Sequence, residues 1–198
     1  MRKDCPCGMF SSSSVITDFN QRTINYKYTM SLLPILTFPN PVLRQKAKKV
    51  AVFDESLQTL VSDMIETMYD APGVGLAAPQ IGESVQLIVV NAARDPDVQE
   101  SMVMVNPEIT EREGEQIDEE GCLSVIDLTS SVKRSKKITV CYQDIRGGKQ
   151  ELTVEDRFAV VLQHEIDHLN GILFIDHLSS LKRTLYKKKV KKMLAAQK

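Results

Sequence analysis

The run Gln163-His164-Glu165-Ile166-Asp167-His168 holds two imidazoles four positions apart, with a carboxylate between them. On a helix, that spacing projects both rings from one face, where they can grip one metal ion. Glu165 would stand beside the ion without being needed as a ligand. It could take a proton from water and later deliver it to a leaving group. The plainer reading is two core histidines near a buried glutamate. A charged Glu and two His on an otherwise apolar helix are costly unless paired or metallated, which favours the metal.

A catalytic site of this kind takes a third protein ligand and keeps one position open. No Glu follows Glu165, as a thermolysin-like site would need. Gly171 fits the metzincin pattern, but Phe174 stands where its third His would fall. Asp176 and His177 are candidates off the expected spacing. Cys141 falls mid-strand and reads as core. Cys122, in Glu119-Glu120-Gly121-Cys122-Leu123-Ser124, is the strongest remaining candidate. Its thiolate with two imidazoles would give a Cys/His/His site with an open position; the alternative is a small buried residue in a strand.

These residues need elements to place them. Glu155 to Leu169 reads as a buried helix, because Phe158, Ala159, Val160, Val161, Leu162, Ile166 and Leu169 cover most of its circumference. Asp54 to Tyr69 reads as an amphipathic helix, with Leu57, Leu60, Val61, Met64, Ile65 and Met68 on one face, ended by Pro72-Gly73. Phe38-Pro39-Asn40-Pro41 reads as a turn or extended entry. Strands are expected at Val85 to Val90, at Met102 to Val105 (stopped by Asn106-Pro107), and around Ile138 to Tyr142. Asp144 to Gly148 turns the last of these into a returning strand, Gln150 to Val154. A third helix, about Ser179 to Ala196, carries Leu181, Leu185, Val190, Met193 and Leu194 among many lysines. Such a charge run is usually a solvated face; contact with a polyanion such as RNA is the functional alternative. Strands and helices without regular alternation indicate an α+β fold.

The chain has 198 residues, 25 Lys plus Arg and 26 Asp plus Glu, for a net charge of -1. That excludes a protein held to nucleic acid mainly by a large overall positive charge, and no DNA partner is expected. Hydrophobic residues make up 42%, enough for a core, and no run approaches a membrane span of ~18 apolar residues. Four Cys in this length do not make a disulfide-stapled secreted module. Residues 1–29 read as a disordered extension without a secretory apolar stretch. Cys5 and Cys7 there could be a metal or redox pair but lack partner ligands. Met30 reads as the natural start, and residues 30–198 as one domain.

Three motifs point to a family. Gly73-Val74-Gly75-Leu76-Ala77-Ala78-Pro79-Gln80 comes first, Glu120-Gly121-Cys122-Leu123-Ser124 second, and Gln163 to Leu169 followed by Gly171 third. From about Leu32 to the C-terminal helix the chain resembles peptide deformylase, the hydrolase that removes formyl from new bacterial N-terminal methionines. The resemblance implies antiparallel sheets packed around a buried central helix carrying HExxH, plus a C-terminal helix. It implies Cys122, His164 and His168 as ligands of one divalent ion. In the cell that ion would be Fe2+, with Zn2+, Ni2+ or Co2+ as other occupants; the ligand set also suits zinc. A thiolate-bound ferrous centre fits a reducing cytoplasm. Glu165 would carry the proton. The Gln80 amide and the Leu123 backbone N–H would stabilise the oxyanion. Gly75 would pair with the peptide backbone, and Val74, Val160 and Val161 would wall a methionine pocket, with core packing as the alternative for the two helix valines. The implied partners are N-formylmethionyl nascent peptides and, through the basic helix, the ribosome.

The chain departs from the family at one place. Members commonly continue Val-Pro-Gly after Cys-Leu-Ser, and an Arg that holds the peptide main chain often follows. Here Val125-Ile126-Asp127-Leu128-Thr129 leads to no Arg before Arg134. Arg134 is expected instead to pair with Glu120 and brace the metal loop. Two other functions stand beside the deformylase reading. A metalloprotease lacks its third ligand here. A non-catalytic ribosome-binding or metal-storing protein would need neither Gln80 nor Glu165.

Overall fold

The computed structural model describes residues 31–93 and 98–196. The expectations for residues 1–29, for Cys5 and Cys7, and for Met30 as the start lie outside them. Helix α1 spans Glu55–Asp70 and α2 spans Asp156–Leu169. The Asp54 side chain accepts from the backbone N–H groups of Ser56 and Leu57, so it caps the first turn of α1. Strands β1 (Gly75–Ala77), β2 (Leu87–Asn91), β3 (Ser101–Glu113), β6 (Lys137–Gln143) and β7 (Lys149–Glu155) form a five-stranded sheet in the order β1-β2-β3-β6-β7. Every pairing in it is antiparallel. Strands β4 (Gln116–Cys122) and β5 (Val125–Arg134) form a separate antiparallel hairpin. This is the α+β architecture expected.

Strand β2 shows how the layers are held. Its alternate residues Ile88 and Val90 pack with Ala159, Leu162, Ile166 and Leu169 of α2. Leu87 and Val89, on the other face, pack with Leu57, Val61, Met64 and Met68 of α1. The period of two in a strand explains why this run is apolar without a break. Helix α2 is therefore buried on nearly all sides, as its composition demanded. A third cluster joins Val125 and Val132 of β5 to Leu173, Phe174, Ile175 and the C-terminal helix α3 (Ser180–Ala196).

Three sequence expectations need correction. Asn106-Pro107 does not stop a strand, because β3 runs through it to Glu113. The pair sits in a bulge between Val105 and Glu108, where a missing proline N–H is tolerated. Asn106 takes a left-handed φ of 52°. Its side chain accepts from the Val50 N–H and donates to the Val50 carbonyl and to Gln143 Oε1. The β4–β5 hairpin was not expected at all. Finally, Leu181, Leu185 and Leu194 of α3 face outward, and α3 docks through Tyr186 and Val190. The Tyr186 hydroxyl donates to the Ile126 carbonyl, and Lys182 and Lys189 reach Ser130 and the Asp127 carbonyl. These polar contacts hold the helix where its outward leucines do not. Among the described residues, no helix is long and apolar enough to cross a membrane.

Candidate active site

Helix α2 delivers His164 and His168 from one face, with ring centroids 5.0 Å apart. The end of β4 delivers Cys122 to the same point. The donor atoms of Cys122, His164 and His168 all lie within 4.8 Å of one another, and Cys122 Sγ is 3.2 Å from His168 Nε2. The other third-ligand candidates go elsewhere. Asp176 pairs with Arg44 and accepts from the Leu173 N–H. His177 hydrogen-bonds to Asp167 at 2.8 Å. Cys141 is buried in β6 and is not in this group.

The donor chemistry suits a divalent ion. Burial and the neighbouring charge of His164 hold His168 well below its ordinary pKa, and so in the neutral form a ligand needs. Burial opposes a charge on His164, yet the Cys122 sulfur and Glu120 outweigh it and lift its pKa well above the ordinary value. A cation bound at Nε2 would take the place of that proton. His164 Nδ1 already faces Glu120 Oε2 at 2.8 Å, which fixes the ring's orientation.

Glu165 is the unusual group. It is buried, and its Oε2 has no hydrogen-bond partner among the described residues. Burial pushes its carboxyl up to about 7, against the pull of charged His164. Gly75 makes room for it, since a Cβ at that position would strike the carboxylate. Gln80 closes another side. Its Oε1 accepts from the Ala77 N–H at 2.8 Å, which turns Nε2 toward Ser124 Oγ at 3.2 Å and Cys122 Sγ at 3.7 Å.

A cavity of about 650 Å³ opens onto these groups. Val74, Gly75, Gln80, Leu123, Val160, Val161, His164 and Glu165 all line it, as do Ile126 to Thr129 of β5. The structure thus gathers every residue that the sequence placed at the centre. Val160 and Val161 line the cavity and are also buried, and Val161 shares the α2 core.

Arg134 pairs with Glu120 through two bonds, Nε to Oε1 at 2.7 Å and Nη2 to Oε2 at 3.0 Å. Burial would raise the Glu120 carboxyl, but His164 and Arg134 outweigh it and hold it at about 2. Asp167 escaped the sequence reading, and His177, weighed there as a metal ligand, joins this network instead. Asp167 accepts from Arg134 Nη1 at 2.5 Å, and His177 adjoins the same carboxylate. The signal for Asp167 was there, as a second acid on an apolar helix. Arg157, which lines the cavity, gave no signal at all.

Comparison with known proteins places this architecture. A family model described as "Polypeptide deformylase" matches residues 32–184. A peptide deformylase of Desulfotalea psychrophila is 68% identical over 164 residues, covering 82% of this chain and 97% of the relative. A solved peptide deformylase from Legionella pneumophila is similar at 50% identity and a TM-score of 0.77, covering 84% of this chain and 98% of that one. Another, from Ehrlichia chaffeensis in complex with actinonin, has a TM-score of 0.78 at 36% identity, with coverage of 83% and 98%.

Proposed function

The chain belongs to the peptide deformylase family, and from that premise we propose that Cys122, His164 and His168 hold one divalent ion while Glu165 moves the proton. Members of the family are metal-dependent and act on formylated nascent peptides. An ion held by these three residues would supply Lewis acidity at the reacting formyl group.

The chain's own residues do the rest. Glu165 accepts the proton of the attacking water and returns it to the leaving amine, so that formate departs and a free methionine terminus remains. A carboxyl raised to about 7 suits both halves of that exchange. The Gln80 amide and the Leu123 backbone N–H donate to the formyl oxygen as it gains charge. Gly75 pairs with the peptide backbone, and Val74, Val160 and Val161 wall the methionine side chain. Glu120, braced by Arg134, keeps His164 turned so that Nε2 faces the ion.

Fe2+ is the proposed occupant, in a reducing cytoplasm that protects its thiolate ligand, with Zn2+, Ni2+ and Co2+ as substitutes. The catalytic unit is assigned to residues 30–198, with residues 1–29 as an extension. The ribosome is the proposed partner of α3, whose Lys187, Lys188, Lys191 and Lys192 are exposed.

One observation carries the reading. A buried carboxylate oxygen without a partner among the described residues stands beside three convergent metal-donor atoms at the end of a cavity. A storage site has no use for it. The test is formate release from a formyl-Met tripeptide by anaerobically purified, iron-loaded protein. Turnover is expected; folded, iron-loaded protein that releases no formate would refute the proposal.

A further inference from the structure

Four residues of α2 share one stripe toward the cavity: His164, Val161, Val160 and Arg157. Their offsets of three, four and seven positions are those of a single helix face. Arg157 stands two turns from His164, about 10 Å along the axis. Moving away from the metal ligands, the lining passes the two buried valines and reaches Arg157, whose side chain is 59% exposed. Arg157 is the single Lys or Arg among the described residues that line the cavity.

The guanidinium is held in place. Nη1 donates to the Glu119 carbonyl at 3.0 Å and pairs with Asp118 Oδ2 at 2.8 Å, both on β4. An arginine has five N–H donors in a rigid fork, so this anchoring leaves Nε and Nη2 free of partners among the described residues. An apolar wall edged by a held but partly exposed donor differs from one edged by another aliphatic side chain. It offers a hydrogen bond to the tip of whatever side chain enters.

We propose that Arg157 at the end of the Val160–Val161 wall lets the pocket accept N-formyl peptides whose first side chain ends in a hydrogen-bond acceptor, methionine sulfoxide above all. The sulfoxide has methionine's length, but its oxygen makes the side chain polar. An aliphatic side chain at this position would offer that oxygen no donor. Arg157 gives it a charged donor, while formyl-methionine rests on the valines and the arginine's aliphatic stem. This inference rests on the deformylase reading and names a substrate class for it.

The test measures kcat/KM for formyl-Met-Ala-Ser, its methionine sulfoxide form and its norleucine form. Wild type is compared with Arg157→Leu and Arg157→Lys, with metal content and melting temperature as checks on folding. In Arg157→Leu the sulfoxide-to-methionine ratio should fall about five- to tenfold, the worth of one charge-assisted hydrogen bond at a partly solvated site. The norleucine-to-methionine ratio should hold, and Arg157→Lys should recover part of the loss. A sulfoxide ratio that is the same in wild type and Arg157→Leu overturns the proposal. Calorimetric binding of Met-Ala-Ser and its sulfoxide to the zinc-loaded protein gives the same comparison without turnover. Absent deformylation would therefore sink the functional reading while Arg157 is still judged on the binding ratio.

Discussion

Gly75 and Glu165 meet so closely that no side chain fits between them. A Cβ built on Gly75 lands on the Glu165 carboxylate. The strand that would pair with substrate and the carboxylate that would move the proton are thus fitted to each other.

Replacing Gly75 with Ala should displace that carboxylate. Shifts of about 1 Å near a reacting centre cost roughly 10²-fold in rate. Gly75→Ala should lower kcat/KM by about that factor and leave the metal content intact, because the three atoms nearest the added Cβ all belong to Glu165 and none to a metal ligand. Metal analysis beside formate release checks this. A variant as active as wild type would show that Glu165 tolerates displacement.

Arg134 and Glu120 are both nearly fully buried, at 4% and 3% side-chain exposure. Breaking such a pair from one side leaves an uncompensated buried charge, at a cost of about 3–5 kcal/mol. Arg134→Ala should lower the melting temperature sharply and weaken metal binding about 10- to 100-fold through His164. Arg134→Lys should not restore it, since an ammonium cannot make the two parallel bonds to Glu120. Unchanged metal affinity in Arg134→Ala would confine Arg134 to fold stability.

Much of this was legible in the sequence because it follows helical and strand periods. His164 and His168 declare their shared face by spacing alone, and the burial of α2 follows from apolar residues all round it. Cys122 could be reached by eliminating other ligands. The hairpin that carries it could not, because β4 is mostly polar and its sheet has only two strands. Pro107 looked like a strand end because proline lacks an N–H. The side chain of Asn106, bonded to Val50 and Gln143, lets the strand continue through a bulge. Those partners are distant in sequence, as are the β5 atoms that dock α3. Nothing in the sequence marks Arg157, because the cavity it lines is assembled from segments distant along the chain.

Asp176 ties the segment after α2 back to Arg44. Burial would raise its carboxyl, but the Arg44 guanidinium and the Leu173 N–H outweigh burial and hold it below its usual 3.8. A carboxyl depressed on folding contributes stability that is fully present above its unfolded pKa. The contribution is lost as pH falls through the folded value. Asp176→Asn should therefore melt below wild type at pH 7, and the gap should shrink from about pH 4 downward. A gap independent of pH across that range would mean that the carboxylate charge contributes nothing.

The most direct test of the central claim is Glu165→Ala, assayed for both bound metal and formate release. The account predicts metal stoichiometry equal to wild type and a loss of turnover of about 10²–10⁴-fold, the usual worth of a general base and acid. Full activity in a metal-loaded Glu165→Ala protein would contradict it.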